Sequence, residues 1–111
     1  MPKTSINYQL FSQLDLRVAK IIEVSPLADS QKLYLIKVKL GDEERQLVAG
    51  LQPYYSAEEL LGKEVIIVAN LEPKKIFGHL SQGMLLAADD GQGTVSLLTV
   101  DKKIKLGSKV R

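Results

Sequence analysis

Residues 33–51 read LYLIKVKLGDEERQLVAGL, and this stretch decides the fold. Apolar side chains occupy every second position from Tyr34 to Leu40, and lysines stand between the last three of them. A period of two is typical of a strand with one buried face. The GDEE run supplies a turn, and residues 45–51 return as a second strand. The stretch therefore predicts a β-hairpin.

A further strand is predicted directly before this hairpin. Its pattern ends at Pro26, because proline removes a backbone donor and is confined to strand ends and edges. Leu16, Val18, Ile22 and Val24 share a parity that is predicted to face inward, although Lys20 interrupts the alternation.

Three short runs follow the hairpin, namely residues 65–69 (VIIVA), 84–88 (MLLAA) and 94–100 (TVSLLTV). Each is too short for a typical helix, and the first is rich in β-branched residues, so strands are predicted. Five or six short strands with little helix favour an all-β fold. An OB-fold Greek-key β-barrel with one or two short helices fits this length best. A β-sandwich would need more strands at a more regular spacing.

The helical content is expected at two places. Residues 1–14 are predicted to form a short helical lead-in, since residues 6, 10, 11 and 14 are apolar and share one helical face. Ser56 and Glu59 form a capping-box pattern, and Gly62 suits a left-handed C-cap, so a helix of one to two turns is predicted between them.

The composition restricts the classes of function. The 111 residues are interpreted as one domain, 1–111, with a basic segment at 101–111, and no repeat or linker divides it. The chain has no cysteine and a single histidine, His79, so catalysis, a metal site and a cofactor are not expected. No signal-peptide or membrane-spanning pattern is present, which favours a cytoplasmic protein. The formal net charge is only +2, so binding to a polyanion would need a local basic patch.

Such a patch is predicted at residues 70–84, which read NLEPKKIFGHLSQGM. Lysines can neutralise phosphates, and asparagine, serine and glutamine side chains can form hydrogen bonds to bases and sugars. Glycines allow close approach of the backbone. Pro73 and Gly78 predict a loop in this stretch, and the alternative to binding is a solvated connection in which these residues only set turns.

The same region carries a family resemblance. Five motifs occur in order: DLRVA at 15–19, KLY at 32–34, VAGL at 48–51, NLxPKK at 70–75 and GxxSxGMxLAA at 78–88. Together they resemble the tRNA-binding domain that is associated with aminoacyl-tRNA synthetases, over nearly the whole chain. The resemblance implies an OB fold that binds tRNA by shape, with little dependence on sequence, as an auxiliary module to a synthetase such as the methionyl enzyme.

The resemblance also implies a set of tRNA-binding residues, which are Lys32, Asn70, Lys74, Lys75, Ser81, Gln82 and Met84. A methionine that opens a strand can equally belong to the core, and that alternative is left open for Met84. Gln31 departs from the family pattern, which has an acidic residue before the lysine, and whether the nearby Asp29 takes its place is left open.

The resemblance further implies a homodimer, with Tyr54, Tyr55, the short helix and the C-terminal segment at its interface. The alternative function is a chaperone-like OB-fold protein that binds peptides.

Overall fold

The computed structural model describes residues 3–111, in which short strands alternate with turns and two short helices. The elements in chain order are α1 (Tyr8–Phe11), β1 (Leu16–Pro26), β2 (Tyr34–Leu40), β3 (Glu43–Ala49), α2 (Ala57–Leu60), β4 (Glu64–Val68), β5 (Lys74–Ile76), β6 (His79–Ser81), β7 (Met84–Leu85), β8 (Ala87–Asp89), β9 (Val95–Leu97) and β10 (Lys109–Val110). Within this range no helix is long and apolar enough to cross a membrane. The predicted all-β fold with two short helices is confirmed.

The main sheet contains five antiparallel strands in the order β3-β2-β1-β4-β7, and β10 pairs with the beginning of β1. The predicted hairpin is β2–β3. Its strands pair as far as Leu40 and Glu43, which leaves Gly41-Asp42 as the turn, two residues shorter than the GDEE run suggested. Gly41 has a φ of +63°, a conformation that tight hairpin turns require and glycine adopts without strain.

The free edge of β3 is covered by β6 and the segment that joins β6 to β7. The backbone N–H of Gln82 donates to the carbonyl oxygen of Gln46 at 2.8 Å. The Nε2 atom of Gln46 donates to the carbonyl oxygen of Leu80 at 3.0 Å. These bonds bring the two ends of the sheet together, so the sheet curls into the partly open barrel that the sequence predicts.

The barrel interior is filled by branched aliphatic side chains. The largest of those that are completely buried come from five different elements and are Ile21, Ile36, Leu47, Leu60 and Ile67. Burying a side chain of this size contributes about 1.5–3 kcal/mol. Because the contributors are spread over β1 to β4 and α2, no single strand pair can form this core alone.

A second apolar cluster covers the outer face of β1 and β4. It is built from Leu16 and Val18 on β1 and from Ile66 and Val68 on β4. The residues that pack over it come from both ends of the chain and from the segment around β7, and are Phe11, Leu86, Val100, Leu106 and Val110. Strand β4 is therefore buried on both faces, which explains its unbroken apolar sequence.

The predicted inward parity of β1 is wrong, because the strand contains a bulge. Its register with β2 shifts between Ile21 and Glu23, so Ile22 is an extra residue. Before the bulge, Ala19 and Ile21 face the barrel core; after it, Val24 packs against that core. A bulge reverses which parity faces inward, and an interrupted alternation was its only trace in the sequence.

Helix α2 has the predicted capping box. The Glu59 backbone N–H donates to Ser56 Oγ at 3.1 Å, and the Ser56 backbone N–H donates to Glu59 Oε1 at 2.8 Å. Gly62 follows with a φ of +88°, and its N–H donates to the Ile21 carbonyl oxygen at 2.9 Å. The cap thus fixes a short helix whose Leu60 is completely buried in the barrel core.

The two chain ends differ from their predictions. Only Tyr8–Phe11 is helical within the lead-in predicted at 1–14, and residues 1–2 lie outside the described part. Phe11 packs inward, whereas Ile6 and Leu10 are exposed, so the predicted apolar face is divided. The segment 101–111 is more than a basic end, since its apolar side chains cover the second cluster and β10 extends the sheet.

The later strands are shorter than predicted. The run at 84–88 is divided into β7 and β8, and the run at 94–100 contains only β9, which pairs with β8. The stretch after Pro73 was predicted as a loop, and that prediction is wrong. It forms the two strands β5 and β6, which pair only with each other.

Candidate nucleic-acid interface

The β5–β6 hairpin contains three of the seven predicted contact residues, Lys74, Lys75 and Ser81. Its pairs are Lys74 with Ser81, Lys75 with Leu80, and Ile76 with His79. Directly paired residues share a face, and neighbours along a strand face opposite sides. Lys74 and Lys75 therefore point to opposite faces of the hairpin, although they are adjacent in sequence.

Ser81 attaches this hairpin to the barrel. Its Oγ accepts the backbone N–H of Val48 at 3.0 Å and donates to the carbonyl oxygen of Gly83 at 3.2 Å. The residue is only 6% exposed. Its hydroxyl is thus committed to β3 and to the turn before β7, which gives this predicted contact residue a structural function in the described chain.

Gln82 is attached in a similar way. Its Oε1 accepts the backbone N–H of Gln46 at 3.0 Å. Its carbonyl oxygen accepts from Arg45 Nη1 at 3.3 Å, and the same nitrogen donates to the carbonyl oxygen of Ala69. Arg45 also forms an ion pair with Glu43 at 2.7 Å. Arg45 therefore joins three parts of the chain: β3, the end of β4 and the segment after β6.

Asn70 binds the N-terminal segment. Its Oδ1 accepts the backbone N–H of Asp15 at 2.8 Å, and its Nδ2 donates to the carbonyl oxygen of Gln13 at 2.7 Å. Both ends of the amide are engaged, so its polarity is accounted for by contacts within the chain. A contact of Asn70 with RNA stays a prediction.

An open groove of about 290 Å³ lies between β3 and the hairpin. We call it the hairpin groove, and its lining includes Val48, Leu71, Glu72, Lys74, Ile76 and Met84. The alternative that Met84 belongs to the core is not supported, because this side chain is 46% exposed. The sequence reasoning missed Val48 and Leu71. The alternation in β3 around Leu47 was a signal that could have placed Val48 on the outer face.

Lys32 lies outside this groove. It is exposed in the turn before β2, where its backbone N–H donates to Ser30 Oγ at 3.1 Å and its carbonyl accepts from the Gln52 N–H at 3.1 Å. Neither Asp29 nor any other acidic side chain in residues 3–111 lies within ion-pair distance of it. The structure thus brings Lys74 and Met84 together and leaves Lys32 separate.

The site carries a small net positive charge. Residues 70–84 contain two lysines and one acidic residue, Glu72, which gives them a formal charge of +1 with His79 neutral. Both lysines are exposed, and neither takes part in an ion pair within the described chain. No group of three or more potential metal ligands occurs among residues 3–111. The arrangement can bind phosphates and an apolar or planar group next to them.

Comparison with known proteins agrees with this chemistry. Residues 16–109 match the family model described as "Putative tRNA binding domain". The chain is 62% identical over 106 residues to the methionine–tRNA ligase of Pyrococcus horikoshii, which covers 96% of this chain and 14% of that protein. It is 51% identical over 111 residues to the same ligase of Methanocaldococcus jannaschii, over all of this chain and 17% of that protein.

Solved structures with the same fold include a protein related to methionyl-tRNA synthetase from Pyrococcus horikoshii. It has a TM-score of 0.93 and 33% identity over 98% of this chain and 100% of that one. The CsaA chaperone protein from Picrophilus torridus has a TM-score of 0.87 and 35% identity, over 96% and 100% of the two chains. The chain spans about one seventh of the length of the ligases that it matches. By its sequence motifs, fold and relatives, this chain belongs to the tRNA-binding domain family and is a binding module rather than an enzyme.

Proposed function

We propose that this domain binds folded tRNA by shape, tolerates differences in sequence, and serves as an auxiliary module to methionine–tRNA ligase. The observation that carries the proposal is the β5–β6 hairpin. Ser81 and Gln82 attach it to the barrel by hydrogen bonds, while Lys74, Lys75 and Met84 remain exposed. This role implies a cytoplasmic location.

The attachment of the hairpin matters for affinity. A flexible basic loop would lose conformational entropy on binding, at about 1–2 kcal/mol for each residue whose backbone becomes fixed. In this domain the three residue pairs of β5–β6 and the bonds to β3 fix the backbone beforehand. More of the attraction between lysines and phosphates therefore contributes to net binding.

The arrangement of side chains favours recognition of shape. Of the polar groups predicted to contact bases, those of Asn70, Ser81 and Gln82 form hydrogen bonds within the domain. The exposed groups that remain on the hairpin include the two lysines, which bind phosphates and carry no sequence information. The resulting domain would discriminate RNAs by the spacing of their phosphates.

A homodimer is the second part of the proposal, because two hairpins would double the phosphate contacts and raise affinity through effective concentration. Exposed apolar side chains that support the predicted interface are Tyr54, Leu61 at the end of the short helix, and Ile104 in the C-terminal segment. Tyr55, also predicted at the interface, has a hydroxyl that accepts the Leu97 N–H at 3.1 Å, so it acts within the chain. Light scattering at several concentrations tests this part, and a concentration-independent monomer would contradict it.

The experiment that tests tRNA binding is a fluorescence-anisotropy titration with bulk tRNA and with an unstructured RNA of equal length, at 50 and 200 mM salt. With a slope of about −0.9 per phosphate, two contacts predict a roughly tenfold loss of affinity over this range and four predict a roughly 150-fold loss. Tighter binding to tRNA supports the proposal. Equal affinity for both RNAs would contradict recognition by shape.

Peptide binding is the second candidate, and the observation that favours it is the 35% identity to the CsaA chaperone protein. The apolar part of the hairpin groove could accept a peptide side chain. Peptide binding buries apolar surface and should respond weakly to salt, in contrast to RNA binding. A domain that binds an unfolded polypeptide with little salt dependence, and binds neither RNA, would make this candidate the function.

A further inference from the structure

The tip of the β5–β6 hairpin carries an aromatic residue in an unfavourable conformation. Phe77 has a φ of +49° and Gly78 one of +79°, and positive φ at both central residues is typical of a type I′ hairpin turn. Such turns favour asparagine, aspartate or glycine at the first position, whereas a bulky residue there is an outlier. Phe77 is the one non-glycine residue with positive φ among residues 3–111.

Packing within the domain does not compensate for this strain. Phe77 is 63% exposed, and its ring does not line the hairpin groove. The aromatic pair found among the described residues is Tyr8 with Phe11, at a centroid distance of 6.4 Å, so the Phe77 ring is not stacked on another ring. A strained and exposed residue that the fold does not need points to a function outside the fold.

The surroundings of Phe77 indicate the chemistry of its partner. Two residues before it in the chain is Lys75, three before it is Lys74, and two after it is His79. The acidic residue of this hairpin region, Glu72, is five positions away and lines the groove. A planar apolar ring next to unpaired cations matches a nucleotide, whose base offers a flat face and whose phosphate offers a negative charge.

We infer that Phe77 stacks on an unpaired base of the bound RNA and that the hairpin tip thereby selects RNAs with an exposed base near the phosphates that the lysines contact. This inference rests on the proposed function. The structure favours a base over an apolar pocket of a protein, because the cations on both faces of the hairpin would be costly to bury against an uncharged surface.

Three variants test the inference with bulk tRNA as the probe. Phe77→Asn removes the ring and places a favoured residue in the turn, so the thermal midpoint should rise while tRNA affinity falls about five- to 150-fold, the range for one aromatic–base stack. The slope of affinity against salt should not change, because no cation is lost. Leu98→Asn is the matched control, since Leu98 is 40% exposed directly after β9 and belongs neither to the hairpin nor to the proposed dimer interface, and it should bind tRNA like the unmodified domain.

The third variant, Phe77→Trp, supplies a direct signal because the chain contains no tryptophan. Its emission should be quenched on addition of tRNA, and its affinity should equal or exceed that of the unmodified domain. Unchanged emission, unchanged affinity in Phe77→Asn, or a lower thermal midpoint in that variant would each overturn the inference. A change of oligomeric state in Phe77→Asn would also overturn it and assign the tip to a protein contact. If the unmodified domain binds no tRNA, the proposed function itself fails.

Discussion

Replacing Ser81 by alanine separates two interpretations of the same residue. The sequence predicts that its hydroxyl contacts RNA, whereas the structure shows it bonded to Val48 N–H at 3.0 Å and to the Gly83 carbonyl at 3.2 Å. Ser81→Ala removes both hydrogen bonds at a position that is 6% exposed. A net hydrogen bond contributes about 1 kcal/mol, and a buried group that loses its partner costs about 1–3 kcal/mol. Val48 is half-buried, so water replaces part of the loss, and we expect a destabilisation of about 2 kcal/mol.

Urea denaturation measures this change in the free energy of unfolding, and hydrogen exchange should show faster exchange of the Val48 amide. Affinity for tRNA should also fall, because a hairpin less firmly attached to β3 must be ordered on binding. Ser96→Ala is the matched control: Ser96 is exposed on β9, and its replacement should change stability by less than about 0.5 kcal/mol. If Ser81→Ala weakens tRNA binding but leaves stability and Val48 exchange unchanged, the hydroxyl contacts RNA and our assignment is wrong.

Three further predictions concern the hairpin, the barrel and the cap. Lys74 faces the hairpin groove, whereas Lys75 faces the opposite side of the hairpin. Lys74→Ala should therefore reduce the salt slope of tRNA binding by about 0.7–0.9, and Lys75→Ala should reduce it by less. Equal effects of the two variants in anisotropy titrations would contradict this division. Gly83→Ala places a Cβ 2.9 Å from a backbone oxygen of β4, at a residue whose φ is +149°. Urea denaturation should therefore show that the free energy of unfolding falls by about 3 kcal/mol or more. An unchanged denaturation midpoint would contradict this close packing. The pKa of Glu59 is lowered from 4.5 chiefly because its carboxylate accepts the Ser56 N–H. The cap therefore stabilises the fold at neutral pH, and this contribution is lost as the pH falls through the lowered pKa. A titration midpoint of the Glu59 carboxyl at or above 4.5, measured by NMR, would show that the cap is open.

The parts of the fold that could be predicted are those set by local sequence. The alternation from Tyr34 to Leu40 fixes which side chains face inward because the strand is regular and one face is buried. The capping box was predictable for the same reason, since Ser56 and Glu59 contact each other within one turn. In the capping box the contacting residue lies a few positions away, and in β2 the buried side chains all face the same core.

The elements that were missed depend on distant partners. The bulge at Ile22 lets β1 direct side chains into the barrel core both before and after it. Only the pairing of β1 with β2 reveals the extra residue. The β5–β6 hairpin was mistaken for a loop because Pro73 and Gly78 are turn residues and the three-residue strands between them are too short for an alternation to be recognised.

The candidate site shows that a polar side chain does not by itself indicate a contact with RNA. Asn70, Ser81 and Gln82 were predicted to contact RNA because they can form hydrogen bonds, and the structure shows that they form them with backbone groups far away in sequence. A side chain that can bind a base can equally satisfy a buried N–H, and sequence does not distinguish the two. The lysines are different, because a charge is not buried without a partner and therefore remains available at the surface.

This division of tasks accounts for the density of motif residues in 70–84. Fixing a projecting hairpin needs polar groups that bond to the barrel, and binding an RNA needs exposed charge and apolar surface on that hairpin. If the two tasks are separate, variants of the attaching residues should lower stability and affinity together, whereas Lys74→Ala should lower affinity alone, since its side chain is exposed and has no ion-pair partner in the described chain. If Lys74→Ala also destabilises the domain by more than about 0.5 kcal/mol, the separation fails and the hairpin lysines belong to the fold as well.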